Sequence, residues 1–246
     1  MRRRRTSVLA LALASLTTVL ALAACSGGPE QPILNQFFTA SRLRDNTTLA
    51  NFTTVSFEPG VQGTVTSFDI QSVTPEQLKP LNIKSLAAAQ AEAKAADAEY
   101  TKRKDAYESE NIDAIKRVLA AENQRAPIKG KDAEVEAAWT KFRSEGAQIS
   151  KRVFDAKKKL ASETSIASIS VDDPRNPVDL TKYDCQLASK DVTISAPVRM
   201  PDGQTSRKTL IVTMQRAVLT GEKPITGRWI ITGIRDASLS GATPHS

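Results

Sequence analysis

The sequence predicts an α+β protein: an antiparallel sheet with N-terminal helices, and a long antiparallel coiled-coil helical hairpin inserted between strands. Three observations carry this. Residues 86–124 contain no Gly or Pro and are dense in Ala, Glu, Lys and Arg, the strong helix formers. Residues 135–160 place apolar or small side chains at alternating spacings of four and three, a heptad seam. The C-terminal third shows alternating apolar segments separated by turn signals.

In chain order, Pro32 suits the first turn of a helix, where its missing N–H costs nothing. Leu34, Phe37, Phe38 and Leu43 follow at near-helical spacing and predict one apolar face. Arg44-Asp45-Asn46 breaks that helix, and Asn46 or Thr47 is placed to cap a short second helix carrying Leu49 and Phe52. After a Pro59-Gly60 turn, Val65, Phe68, Ile70 and Val73 give residues 64–73 an imperfect period of two, a strand.

The helical block comes next. A helix over 86–124 has a loose seam through Leu86, Ala93, Tyr100, Tyr107, Ala114 and Val118. At 1.5 Å per residue it is a rod of roughly 60 Å. Pro127 and Gly130 punctuate the chain, and a second helix is expected over 132–163. Its seam is Val135, Trp139, Phe142, Gly146, Ile149, Val153, Ala156 and Leu160, where large residues beside Gly146 predict interlocking layers. Glu99 with Arg103 and Asp113 with Arg117 are spaced as i, i+4 pairs on the outer face.

Strands return after the hairpin. Residues 166–171 alternate, and the Asp172-Asp173-Pro174-Arg175-Asn176-Pro177 loop follows. Strands over 192–200 and 209–218 flank Pro201-Asp202-Gly203, a hairpin turn, and a last strand covers 229–234. The expected organisation is therefore an α+β domain of 32–82 with 164–237, an inserted hairpin of 83–163, and a flexible tail of 238–246.

Arg2 to Arg5 precede an apolar run from Val8 to Leu22, which ends at Leu22-Ala23-Ala24-Cys25. The run is short for a membrane span, which needs about 20 apolar residues, and the small residues fit a processing site. The pattern resembles the lipobox of bacterial lipoproteins. That resemblance implies a signal peptide of 1–24, cleavage between Ala24 and Cys25, and lipid attachment to Cys25. Residues 25–31 then read as a lipidated tether. Ser26 after the lipid-bearing position is similar to lipoproteins exported to the outer membrane, if the source is Gram-negative. The expected location is the bacterial cell envelope, with the membrane as a partner through Cys25.

Processing changes the charge argument. The whole chain is +7, with a pI near 9.5. Arg2 to Arg5 carry four of those charges and no acidic residue leaves with them, so +3 remains. A translocated, nearly balanced chain points away from nucleic acid. With Cys25 acylated, Cys185 is left alone, so no intramolecular disulfide is expected.

Catalytic chemistry finds little footing. His245 is the single histidine, which removes His-based triads and His-rich zinc sites. Ser-x-x-Lys, Gly-x-Ser-x-Gly, a phosphate loop and Gly-x-Gly-x-x-Gly are all absent. We therefore expect no enzyme, no cofactor and no metal. Asp172, Asp173, Asn176 and Asp179 have the oxygens of a calcium loop, but a Pro/Asp/Asn turn explains them more simply. Lys157, Lys158 and Lys159 read as a solvated helix face before they read as an anion site.

The helix ending at Arg44-Asp45, the short helix with Leu49 and Phe52, and the closing Gly227-Arg228-Trp229-Ile230-Ile231 strand resemble the nuclear-transport-factor-two-like (cystatin-like) superfamily. The resemblance implies a curved antiparallel sheet wrapping the N-terminal helices, with the hairpin as an insertion. It carries no activity over, because the superfamily's folds host many functions. The expectation is a lipid-anchored envelope protein whose hairpin binds a protein partner. One alternative is an adaptor-like component of an efflux or secretion system, since Thr193-Ile194-Ser195-Ala196-Pro197 is similar to the strand those proteins carry after their hairpin. Another is a small-ligand carrier or degenerate enzyme with a pocket at Phe37, Phe38, Phe52 and Trp229.

Overall fold

The computed structural model describes residues 28–238. Helices α1 (Gln31–Leu43) and α2 (Asn46–Ala50) lead into strands β1 (Thr64–Val65), β2 (Asp69–Val73) and β3 (Gln77–Pro80). The hairpin α3 (Ile83–Gln124) and α4 (Lys131–Ser170) follows, then β4 (Asp184–Arg199), β5 (Thr205–Thr220), β6 (Ile225–Thr226) and β7 (Ile230–Asp236). The fold is α+β, the sheet is antiparallel throughout, and the two long helices pack together between β3 and β4 in the chain.

Two strands organise the sheet. β4 and β5 each run 16 residues, about 50 Å at 3.3 Å per residue. They pair without a bulge from Asp184 opposite Thr220 to Arg199 opposite Thr205. β1, β2 and β3 lie end to end along the outer side of β4, and β7 and β6 along that of β5. The sheet is thus four strands wide, with both edges broken into pieces.

Burial along these strands changes phase. Ala188, Lys190, Val192, Ile194, Ala196 and Val198 of β4 are buried, with Leu210, Val212 and Met214 of β5. Side chains alternate along a strand, so this set shares one face. Leu34, Phe37, Phe38, Phe52 and Phe57 cover it. Cys185, Ala217 and Leu219 are in the opposite phase and bury against Ile83, Ala167, Val171 and Leu180. One sheet therefore carries two cores, the first covered by the N-terminal helices with Ile166 and Ile169 of α4 against it, the second by Ile83, Ala167 and Val171 at the hairpin's root.

The root is pinned by polar contacts as well. Ser170 Oγ donates to the Arg228 carbonyl at 2.7 Å and accepts the Ala217 amide at 2.9 Å. A side chain at Gly227 would run into the Ser170 backbone, so only glycine admits this approach. Glu163 accepts the Asn82 amide at 2.8 Å, and Lys84 meets Asp184 at 2.6 Å.

Several expectations need correction. Leu43 is 67% exposed and lies off the apolar face of α1, which buries Leu34, Phe37, Phe38, Ala40 and Ser41 instead. Asp45 caps α2 by accepting the Thr48 amide, so neither Asn46 nor Thr47 does. The expected strand 64–73 is two strands with a break at 66–68. Residues 166–171 are not a strand: α4 continues through Ser170, because Ala167 and Val171 on one side, and Ile166 and Ile169 on another, are needed by the two cores. Of the segment 25–31 expected as a tether, residues 25–27 lie outside the described residues, while Glu30 is buried and α1 starts at Gln31, so its last residues belong to the fold. At the other end, Asp236 accepts both the amide and hydroxyl of Ser238.

Candidate interaction surface: the helical hairpin

The hairpin is built on size complementarity. A Cβ at Gly146 would collide with the Tyr100 ring, so glycine opens the space that the tyrosine fills. Tyr100 Oη then donates to the Phe142 carbonyl at 2.9 Å. Phe142 sits 5.2 Å from the Tyr107 ring, and Lys104 lies 5.5 Å over Trp139. Away from the root, Ala93, Ile115, Val118 and Trp139 are the buried residues of the seam. Asn111 departs from helical geometry in the middle of α3 and donates its amide to the Tyr107 carbonyl, which marks a kink.

Four arginine–carboxylate pairs tie one helix to the other. Arg117 holds Asp132 bidentately at 2.8 and 3.0 Å, and Arg143 holds Glu122 at 2.6 and 2.9 Å. Arg103 reaches Glu145 and Arg152 reaches Glu92. These hydrogen bonds hold the carboxyls of Asp132, Glu122 and Glu145 below the ordinary carboxylate range. The expected pairs within α3 are superseded: Arg103 and Arg117 bond across the hairpin, not to Glu99 and Asp113. A planar guanidinium matched to a carboxylate on the facing helix makes two parallel bonds.

With the seam satisfied internally, the outward faces are left to solvent. Ile112, Leu119 and Phe154 are exposed there, as are Lys157, Lys158 and Lys159. A groove of about 440 Å³ runs near the root, floored by Leu86, Ala89 and Ala156 and rimmed by Lys151, Arg152 and Lys159.

A second constellation lies on the sheet and was not anticipated. Lys190 points inward, and its Nζ is 2.5 Å from Glu30, with the two side chains 6% and 7% exposed. Trp229 is covered by Lys190 at 4.0 Å and by Arg216 at 4.4 Å, an arrangement that favours both cations electrostatically. Arg216 in turn donates from Nη2 to both carboxylate oxygens of Glu76, at 2.9 and 3.1 Å. A legible signal existed: Lys190 stands at an inward position between Ala188 and Val192. Its partner Glu30 was hidden in a segment that reads as linker.

The remaining candidates are placed as follows. Phe37, Phe38 and Phe52 are buried in the first core, where the Phe37 and Phe38 rings meet edge-on at 5.2 Å. Trp229 packs beside them under its two cations, so the four fill the core and do not surround an open cavity. Asp173 accepts from Asn176 and the Arg175 amide, and Asp179 caps the turn at Thr181, while the Asp172 carbonyl accepts from Arg228. Hydrogen bonds to those neighbours lower the Asp173 and Asp179 carboxyls. Among the described residues, no three His, Cys, Asp or Glu side chains are grouped to hold a metal. Cys185 is buried, and burial pushes its thiol up. Ala24, Cys25 and His245 lie outside the described residues.

No protein-family model matches the sequence, and no curated protein and no solved structure is similar enough to count as a match. Among the described residues, no helix is long and apolar enough to cross a membrane.

Proposed function

We propose that this chain is a non-enzymatic, lipid-anchored lipoprotein of the bacterial cell envelope that presents its helical hairpin to a protein partner. One observation carries the reading. Two helices of 42 and 40 residues satisfy their own apolar seam and ion pairs. Their apolar contacts with the sheet gather at the root, at Ile83, Leu160, Ile166, Ala167, Ile169 and Val171. A helix pair that needs nothing from the base over most of its length is a surface for something else. The Leu22-Ala23-Ala24-Cys25 pattern supplies the anchor, and two or more acyl chains hold a protein firmly where one does so only marginally.

The test is in-cell cross-linking and capture, comparing the intact lipoprotein with a version in which residues 87–161 are replaced by a short turn. A partner lost with the hairpin supports the reading, and partners unchanged by its removal sink it. The adaptor alternative draws on one feature, the insertion of the helices between the adjacent strands β3 and β4. A captured efflux or secretion component would favour it. The carrier alternative is weakened by the packed state of Phe37, Phe38 and Phe52.

A further inference from the structure

We propose that the Glu30–Lys190 pair seats the anchored N-terminus on the sheet, so that the exposed edge carrying Val73 and Leu78 lies against the bilayer that holds Cys25. The inference rests on the lipid anchor proposed above and adds to it a membrane-facing surface.

The first step is a length. Glu30 is five residue steps beyond Cys25, and a fully extended chain spans at most about 3.6 Å per step, so about 18 Å in all. Glu30 is not free to wander, because its carboxylate is 2.5 Å from the Lys190 ammonium and both side chains are buried. The bilayer surface must therefore pass within about 18 Å of the Glu30 backbone, which the ion pair holds beside the middle of β4.

The second step is register. Leu78 pairs with Ala188, and Val73 pairs with Val192, the inward neighbours of Lys190 on either side. Alternation puts both side chains on the same face as Lys190, and diagonal neighbours across a strand pair are about 7–8 Å apart. Leu78 is 56% exposed and Val73 40%.

The other exposed large apolar residues are elsewhere. Leu43 is at the far end of α1, roughly 20 Å from Glu30 along the helix. Val61 precedes Gly63, which abuts Arg199, about 30 Å further along β4 than Lys190. Ile112 and Leu119 are in the distal half of α3, and Phe154 is on α4, roughly 24 Å along the helix from its root end at Ser170. Val73 and Leu78 are the pair that an 18 Å tether brings to the lipid, on the order of one leaflet's depth from the anchor.

The experiment uses the full-length lipoprotein reconstituted into phosphatidylethanolamine and phosphatidylglycerol vesicles that contain nitroxide-labelled lipid. A fluorophore is attached at Leu78→Cys, at Val73→Cys or, for comparison, at Leu119→Cys, while Cys185 is shielded by burial. Acylation is read by intact mass and anchoring by flotation. We expect quenching several-fold stronger at 78 and 73 than at 119. In the double variant E30Q/K190M, which removes both charges together, quenching at 78 should fall toward the value at 119. Acylated, vesicle-bound protein with equal quenching at all three positions overturns this proposal alone. Protein without acyl chains overturns the anchor and this proposal with it.

Discussion

The hairpin and the sheet domain are held together by different physics. In the sheet domain, Leu34, Phe37, Val192, Ile194, Val198, Val212, Met214, Ile230 and Ile231 are all but sealed from water. Along the hairpin away from its root, burial is reached only at Ala93, Ile115, Val118 and Trp139. The rest of its cohesion comes from one tyrosine–glycine fit and from arginines that bridge at the surface. Exposed ion pairs contribute little each, so the hairpin should be the weaker unit and should lean on its pinned root. The deep core makes a sealed base, and the thin seam leaves the outward faces of two long helices to solvent.

The largest effect that would sharpen this contrast lies at Lys190. Lys190→Ala leaves the Glu30 carboxylate buried without its partner, and breaking a buried pair costs about 3–5 kcal/mol. Urea unfolding should show that loss, and E30Q/K190M should recover most of it, because no charge is stranded. Arg143→Ala in the hairpin, by the same measurement, should cost a small fraction of that. Equal losses at the two sites would erase the distinction between them.

What could be read from the sequence follows the same division. The hairpin was legible because its spacing is local and repeated, and the partnership of large residues with Gly146 could be expected before the tyrosine was known. The sheet was legible over 192–200 and most of 209–218, where one phase of alternation holds, and at the closing strand 229–234. Cys185, Ala217 and Leu219 belong to the same two strands, but they face the second core, and that change of phase hid the first third of β4. β3 contains Pro80 and no alternation, and it exists because β4 offers it a register. Residues 166–171 alternate like a strand, yet packing at the root overrides that local preference. The arginine pairs were misassigned because spacing shows which partner is near along one helix and not which lies on the facing one. Glu30 could not be found at all, since its partner is 160 residues away.

A middle-sized effect is expected at Gly146. Replacing an exposed helical glycine by alanine normally stabilises by about 1 kcal/mol. Here the added methyl meets the Tyr100 ring, and overpacking of this kind costs about 1–3 kcal/mol. Gly146→Ala should therefore lower the thermal midpoint of the hairpin's helical signal. In a Tyr100→Ala background the obstacle is gone, and the same substitution should raise it. A stabilising Gly146→Ala in the native background would show that the seam does not interlock as described.

The smallest effect is an acid response, and its sign follows from the ion pairs. Glu122, Asp132 and Glu145 have carboxyls lowered by hydrogen bonds from Arg143, Arg117 and Arg103. Folded chains thus bind those protons less readily than unfolded ones, so the pairs contribute their full stability above the ordinary carboxylate value of about 4. That contribution is lost as pH falls below about 4 and through the lowered folded values. Circular dichroism at a fixed, mildly elevated temperature should show helix loss on acidification across that window. The double variant R117A/R143A should start less stable at neutral pH and lose less on acidification, and high salt should flatten the native profile in the same direction. Superimposable pH profiles for the two proteins would mean that the surface pairs do not hold the helices together, leaving the Tyr100–Gly146 fit and the root to do so.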